Sequence, residues 1–398
     1  MRSILLLSSF TAALAAEPVV KLQYGSFRGA ADGNLSTFLG IPFSAPAKRF
    51  SLPTAPTPFA GVRDALEYGP ACPQQKLSGT GSPAVYNSTS EDCLTLNVFV
   101  PQHAHSKSKL PVLFWIYGGG FEFGYAADTD PRPTVERSIL NGQPMIVVTP
   151  KYRVSAFGFL GGKELKDAGV GNLSLQDPTE IFAMEWVQKH ISAFGGDPRQ
   201  VVMGGVAAGA ISAAMLLLDN KRFKQTDLYS GVFMVSGSPI PSPDIAAPAP
   251  QATYDTLVLA NNCTSAADTL DCLRNVPLDA FLASVNDNIP DIFSYASLNL
   301  AFRPWTDGEV ISREPLLSVV GKKYARVPFI SGDADDEGTI FAFSTTNITT
   351  DAEFNGYIKS QFFFDFTSDE IAKVATLYPQ DPAQGAPFDT GSANAISP

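Results

Sequence analysis

From about residue 110 onward, short apolar segments rich in β-branched residues alternate with longer stretches of helical character. Apolar runs of this length are typical of parallel strands that helices cover on both faces. Residues 180–190 indicate a helix, and the runs predicted as strands are Val112–Ile116, Met145–Thr149, a run from Val201 into 205–209, Gly231–Val235 and Val327–Ile330. The pattern therefore predicts an α/β fold with a central, mostly parallel sheet.

The first hundred residues show a different pattern. Val20, Leu22, Tyr24 and Phe27 alternate with other residues, and turn-forming residues are frequent. Such alternation is typical of half-buried antiparallel strands, so we expect an antiparallel edge in this region. No internal repeat or long low-complexity linker divides the chain, and the Pro-rich stretch 239–250 is interpreted as a surface loop.

The N-terminus has the composition of a secretory leader. Arg2 precedes an apolar run from Ile4 to Leu14, and small residues follow before Glu17. A basic start, a short apolar core and a small-residue cleavage site predict a signal peptide over residues 1–16. No later stretch reaches the roughly 18 apolar residues that a membrane helix needs, so we expect no transmembrane segment. The mature chain is expected to be secreted and extracellular.

Amino-acid composition and net charge indicate which kinds of binding partner this chain is poorly suited to. The 398 residues are 45% hydrophobic and 17% charged, with a formal net charge of −11. This apolar content is ample for a large core. An acidic chain without a Lys/Arg cluster is poorly suited to bind nucleic acid or an anionic membrane. We therefore expect no nucleic-acid partner, and the net charge is interpreted as a soluble, self-repelling surface.

The sequence contains four cysteines, which fall into two local pairs, Cys72 with Cys93 and Cys263 with Cys272. An even count fits disulfides formed in an oxidising compartment. Three connectivities are open to four cysteines, and pairing of neighbours is preferred because both loops are short. Metal binding is the weaker alternative, since no C-x-x-C spacing or nearby histidine completes a tetrahedral set. We therefore expect neither a metal nor a cofactor.

N-x-S/T sequons identify candidate glycan acceptors in a secreted chain. The candidates are Asn34, Asn87, Asn262 and Asn347. A fifth sequon begins at Asn172, inside the tight segment Gly169–Leu173. Burial of that segment would prevent its modification.

A strand, a tight turn and a small-residue helix are predicted to meet at residues 201–209. The run Gly205-Val206-Ala207-Ala208-Gly209 has the spacing of the G-x-S-x-G nucleophile elbow, with alanine in place of serine. Glycines 118–120 follow another predicted strand and would let backbone N–H groups approach a ligand oxygen, as in an oxyanion hole. An acidic cluster at 333–337 follows a third strand, and the string 90–98 is also distinctive.

These co-linear motifs resemble the type-B carboxylesterase/lipase family, which includes the cholinesterases, and are most similar to its secreted fungal lipases and esterases. The similarity runs from Phe38–Phe43 through Phe194–Pro198 to Pro387–Gly391. It implies an α/β-hydrolase domain over residues 17–398 and hydrolysis of acyl or lipid esters by a Ser–Glu–His triad. The implied roles are triad acid for Glu337, oxyanion-hole donors for Gly119, Gly120 and Ala208, and a lid for the Cys72–Cys93 loop.

Two departures from the family pattern concern the triad. Ala207 occupies the position of the nucleophilic serine, and no histidine follows Glu337 in this sequence. The three histidines precede the acid: His103 and His105 are expected on the surface, and His190 at a partly buried helix end. We therefore expect the domain to lack its C-terminal portion, as a decayed or incomplete homologue. Such a chain is expected to be marginally soluble or to be a fragment of a longer parent.

The missing groups predict negligible ester hydrolysis, because an unactivated hydroxyl is a weak nucleophile and a methyl group is none. Other hydroxyls near the predicted elbow, Ser212, Ser236 and Ser238, are interpreted as capping or packing groups. Smaller departures from the family are Ser174, Pro178 and Val206.

The alternative to a decayed enzyme is a non-catalytic binding or adhesion homologue. In that case five aromatic residues could line an apolar tunnel, although core packing is the simpler interpretation of each. These residues are Phe121, Phe123, Phe157, Phe159 and Phe302.

Overall fold

A computed structural model describes residues 17–78, 88–175, 180–221, 223–334 and 337–377. The predicted signal peptide at 1–16, Asn87, Pro178 and the 387–391 motif lie outside these ranges.

The described residues form eleven strands and eleven α-helices. The strands are β1 Val19–Leu22, β2 Gly25–Arg28, β3 Ala30–Asp32, β4 Leu35–Pro42, β5 Val62–Asp64, β6 Thr95–Pro101, β7 Leu110–Ile116, β8 Ile146–Pro150, β9 Gly196–Val206, β10 Gly231–Val235 and β11 Phe329–Gly332. The helices are α1 Arg132–Leu140, α2 Ala156–Phe159, α3 Lys163–Asp167, α4 Glu180–His190, α5 Ala208–Leu217, α6 Pro248–Ala260, α7 Thr269–Asn275, α8 Leu278–Asn288, α9 Pro315–Val320, α10 Asp351–Gln361 and α11 Ser368–Leu377. Three short 3₁₀ helices span Ile191–Phe194, Gln225–Asp227 and Thr339–Thr345.

Eight strands form the central sheet, in the order β11-β10-β9-β7-β8-β6-β4-β3. The five strands from β11 to β8 are parallel, whereas β6, β4 and β3 continue the sheet with antiparallel pairing. This arrangement is the α/β fold with a mostly parallel sheet that the alternation of strand and helix signals predicts, and it is the α/β-hydrolase fold that the family resemblance implies.

Helices cover both faces of the central strands, whose side chains alternate between two apolar cores, whereas the edge strand β11 is exposed. Val147 of β8 packs with Val135 of α1 in the smaller core, whereas its neighbours Ile146 and Val148 belong to the larger one. Helix α5 lies on the larger side, where Ala210 and Ala213 are buried. Near-continuous apolar strands are the sequence signature of this double coverage.

The antiparallel edge predicted for the first hundred residues is present as β3, β4 and β6. Strands β1 and β2, however, pair with β5 in a separate three-stranded sheet. In β1, Val20 and Leu22 are buried, whereas Val19 and Lys21 are exposed. The alternating sequence pattern therefore predicted that one face of the strand is covered, but it could not predict which sheet the strand joins.

Both predicted disulfides are present, Cys72–Cys93 and Cys263–Cys272. The Pro-rich stretch 239–250 is a loop only as far as α6, which begins at Pro248. Proline is favoured in the first turn of a helix because its missing N–H would have no intrahelical partner there. Within the described part of the chain, no helix has the length and apolar content needed to cross a bilayer.

Candidate active site

The elbow lies between the end of β9 and the start of α5. Ala207 has φ 50° and ψ −119°, a backbone conformation that L-residues other than glycine rarely adopt. Hydrogen bonds hold it from both sides, since its N–H donates to the Val235 carbonyl oxygen at 2.9 Å and its own carbonyl accepts from Ile211 N–H at 2.9 Å. The structure therefore holds a methyl group in a strained strand-to-helix turn, the local geometry that the G-x-S-x-G spacing predicts.

Glycines let the backbone segments at the elbow approach one another closely. A Cβ on Gly205 would lie 2.4 Å from the Gly209 carbonyl carbon, and a Cβ on Gly209 would lie 2.2 Å from the Ile116 carbonyl oxygen. Distances under about 3 Å are not sterically accessible to a real side chain, so both positions require glycine. These two residues bring the N-terminus of α5 against the carboxyl end of β7.

The glycine run after β7 touches the elbow. A Cβ on Gly118 would lie 3.1 Å from the Ala207 Cβ, so the two backbones are in van der Waals range. Gly119 and Gly120 have φ of +117° and +60°, and a Cβ on Gly119 would lie 2.1 Å from the Phe123 carbonyl oxygen. Ala208 is the first residue of α5, and the first N–H groups of a helix have no intrahelical partner. Gly118 and Ala208 thus adjoin residue 207 directly, and Gly119 and Gly120 follow Gly118 in the chain.

Glu337 follows β11, the strand at the outer edge of the described sheet. Its side chain accepts a hydrogen bond from the Ala334 N–H at 2.7 Å and faces the Ser236 hydroxyl, and these two groups lower the pKa of the carboxyl below its ordinary value. The Ser236 N–H donates to the Gly332 carbonyl oxygen at 2.7 Å. Ser236 directly follows Val235, whose carbonyl oxygen accepts from the Ala207 N–H. The backbone at 235–236 therefore connects Glu337 to the elbow. An ionised acid is therefore held on this side of the site.

The histidines lie where the sequence suggested. His103 and His105 are exposed, whereas His190 is 6% exposed at the end of α4. The His190 ring packs against Tyr24 and Trp186, with ring centroids 5.6 and 5.2 Å away. Burial, with a smaller contribution from Lys189, lowers its pKa to about 4. A neutral imidazole enclosed by aromatic rings is a core residue.

The three serine hydroxyls near the elbow occupy structural or exposed positions. Ser236 supports Glu337, Ser238 is exposed, and Ser212 is fully buried on α5. The Ser212 hydroxyl faces the carboxyl of Glu180, where it opposes the increase in pKa that burial causes.

The aromatic residues proposed as a tunnel lining are mostly core residues. Phe121 packs edge-on against Phe159 at 4.8 Å, and Phe157 does the same with Phe281 at 5.3 Å. Phe302 is fully buried as well, and only Phe123 of the five is partly exposed. Core packing is therefore what the structure shows for four of them.

Glu122 beside the glycine run and Glu180 on α4 are fully buried carboxyls that were not recognised from the sequence. Burial raises the pKa of each to about 8. One Glu122 carboxyl oxygen accepts from Ile292 N–H at 2.7 Å, and the Ile292 side chain packs over Gly120. The available signal was the position of Glu122 between Phe121 and Phe123, because a charge inside an apolar run is unusual for a surface loop.

The sequon asparagines divide by exposure. Asn34, Asn262 and Asn347 are exposed, whereas Asn172 is fully buried. The Asn172 amide donates to the Trp305 carbonyl oxygen and accepts from the Trp305 N–H, so it is part of the packing of that loop. Among the described residues, no group of three or more His, Cys, Asp or Glu is placed to hold a metal ion.

Comparisons with known proteins agree with this geometry. Residues 16–383 match the model of the carboxylesterase family. The chain is 38% identical over 384 residues to secreted lipase 1 of Botryotinia fuckeliana, covering 91% of this chain and 66% of the relative. It is 32% identical over 368 residues to the inactive carboxylesterase-like protein VdtD of Byssochlamys spectabilis, covering 88% of this chain and 61% of that protein.

Solved structures show the same relationship. The crystal structure of Aspergillus niger EstA superposes with a TM-score of 0.79 at 30% identity, covering 92% of this chain and 68% of that one. The chain thus spans about two thirds of the length of the Botryotinia lipase and of EstA. A family match over most of the chain, together with the shared fold and the elbow, shows that it belongs to the carboxylesterase family.

Proposed function

We propose that this chain is a non-catalytic carboxylesterase homologue that binds a carboxylic ester or acyl ligand, from a small molecule or a lipid, without hydrolysing it. The observation that carries the proposal is Ala207, a methyl group held in the strained conformation of the nucleophile. The glycine run and the start of α5 around it supply N–H donors for a carbonyl oxygen. A carbonyl carbon bound there would meet no attacking oxygen.

The large loss of turnover that follows removal of a catalytic serine supports the proposal that this chain is inactive. In serine hydrolases, loss of the nucleophile lowers turnover by about 10⁶, which corresponds to roughly 8 kcal/mol of barrier. Binding and oxyanion donors alone retain a factor of about 10³–10⁴ over water. His190 cannot act as a base from its position between Tyr24 and Trp186, and His103 and His105 lie in an exposed loop.

The relatives support the same class. One relative is itself named an inactive carboxylesterase-like protein, and another is named a secreted lipase. The second name, the two disulfides and the leader-like composition of residues 1–16 support secretion of this chain. Within the proposal it is extracellular and glycosylated at Asn34, Asn87, Asn262 and Asn347.

The test combines turnover with binding on the purified chain. With p-nitrophenyl butyrate we expect no hydrolysis above the buffer blank, and calorimetry should detect binding of butyrate or longer fatty acids. The Ala207→Ser variant should stay inactive, because the described histidines lie elsewhere, two in an exposed loop and His190 between aromatic rings. Hydrolysis by the wild-type chain at ordinary esterase rates would refute inactivity. Absence of binding heat for butyrate through oleate would refute ligand binding.

A further inference from the structure

Strand β11, at the end of the central sheet, is exposed on both of its faces. Phe329 and Ile330 point to opposite faces of the strand, and they are 57% and 67% exposed. Parallel strands are normally covered on both faces, and the neighbouring β10 buries Val232 and Met234. Among the described strands, none pairs with the outer side of β11. An apolar strand with a free edge is a template for pairing with another strand.

The hydrogen bonds between β10 and β11 determine which side of β11 each residue faces. The Pro328 carbonyl oxygen accepts from the Val232 N–H at 3.0 Å, and the Gly332 carbonyl oxygen accepts from the Ser236 N–H at 2.7 Å. Successive residues of a strand direct their backbone N–H and C=O groups to opposite sides of it. The even-numbered residues of β11 therefore face β10, and the odd-numbered residues face outward.

The outward-facing residues of β11 are Phe329 and Ser331. Each carries a backbone donor and a backbone acceptor on the free edge. Pro328 has no N–H, but it faces β10, so its missing donor does not interrupt that edge. The free edge therefore has a complete set of groups for strand pairing.

The chain is basic before β11 and acidic after it. The exposed residues Lys322, Lys323 and Arg326 precede the strand, and the exposed residues Asp333 and Glu337 follow it. Two copies related by a two-fold axis perpendicular to the sheet would pair these strands antiparallel, with the basic end of each beside the acidic end of the other. Parallel pairing would bring like charges together. Opposite charges at the edge offset the general repulsion between two chains of net charge −11.

We propose that β11 binds the β11 strand of a second copy of this chain, so that two central sheets join across a two-fold axis. The register centred on Ile330 uses both outward-facing residues: Phe329 of each copy exchanges two backbone hydrogen bonds with Ser331 of the other. The two Ile330 side chains then meet at the axis. Pairing occupies both free β11 edges, so association stops at a dimer. The inference does not depend on the proposed ligand binding, because it uses the outer edge of the sheet and not the elbow.

Light scattering of the purified chain over a dilution series tests the proposal. We expect twice the chain mass at high concentration and the mass of one chain on dilution. Ser331→Pro removes an outward N–H from each copy and leaves the bonds to β10 in place, so it should raise the dimer Kd at least about tenfold. Ile330→Lys should raise it similarly, because it places two like charges opposite each other. Leu140→Lys is the matched control: Leu140 is 79% exposed on α1, which packs against β4 and β6, and the Kd should not change.

Residue-resolved hydrogen exchange of the wild-type chain locates the contact without a substitution. The backbone amides of Phe329 and Ser331 should become protected as the protein concentration rises. The Ile330 amide faces β10 and should be protected at every concentration.

Three results would overturn the proposal. The first is a chain that stays monomeric at every concentration. The second is a set of large, polydisperse aggregates, because two-fold pairing of β11 closes the edge. The third is a dimer that persists in Ser331→Pro and Ile330→Lys or dissociates in Leu140→Lys, because another surface then holds it together. If Ser331→Pro and Ile330→Lys both fail to fold, the exchange of Phe329 and Ser331 in the wild type decides.

Discussion

Replacing Ala207 with glycine tests whether the elbow still stores strain. Residue 207 has φ 50° and ψ −119°, and a non-glycine residue held in such a region costs of order 1–3 kcal/mol. Glycine removes this strain, but it adds about 0.5–1 kcal/mol of unfolded-state entropy and loses part of a methyl contact worth up to about 0.8 kcal/mol. Ala207→Gly is therefore expected to stabilise the fold by about 1 kcal/mol.

The matched control is Ala210→Gly, three residues further along in α5. Ala210 is fully buried in a helix, where glycine costs about 1 kcal/mol in propensity and removes a packed methyl. We expect a loss of about 2 kcal/mol, so the two variants should move in opposite directions. Both substitutions remove the same atoms, which isolates the backbone conformation as the cause.

Urea unfolding under non-reducing conditions measures the difference. With an m-value of about 3 kcal/mol/M, a gain of about 1 kcal/mol raises the midpoint by roughly 0.3 M. If Ala207→Gly lowers the midpoint as far as Ala210→Gly does, residue 207 is not strained and the description of the elbow is wrong.

Three further outcomes are expected. In the folded state the carboxyls of Glu122 and Glu180 have a pKa of about 8, whereas in the unfolded state they have the ordinary pKa of 4.5. Between pH 4.5 and 8 the folded state therefore binds more protons, and the free energy of unfolding should fall by roughly 1 kcal/mol per pH unit for each carboxyl. Denaturation midpoints measured from pH 5 to 8 should show this slope, and Glu180→Gln should reduce it. Gly209→Ala should destabilise the fold by about 2 kcal/mol or more, because its Cβ would lie 2.2 Å from a carbonyl oxygen; an unchanged melting temperature would contradict the close packing. Glycopeptide mass spectrometry of the secreted chain should find sugar on Asn34 and none on Asn172, which is buried.

Local patterns were sufficient for much of the fold. Strand β10 and helix α4 have the bounds that their apolar runs predicted, because each run is bordered by residues that end the pattern. The elbow was recognised because close approach of β9, α5 and β7 requires glycine at 205 and 209. The two disulfides followed from short spacing alone.

Other features depend on contacts between distant parts of the chain. Strands β1 and β2 pair with β5 and not with the central sheet. This pairing depends on the tertiary surface against which the strands pack, and the alternation of apolar and polar residues carries no information about it. Burial of Glu122 arises from the segment at 291–292, which is distant in sequence. Charged residues at such positions look like surface residues until the packing is known.

Covalent labelling with a fluorophosphonate is the most direct test of the central claim, that a methyl group has replaced the nucleophile at the elbow. Intact-mass spectrometry of the purified chain, after exposure that saturates an active serine esterase, is expected to show only the unmodified mass. A stoichiometric phosphonyl adduct on any hydroxyl of the chain, abolished by prior denaturation, would contradict the claim.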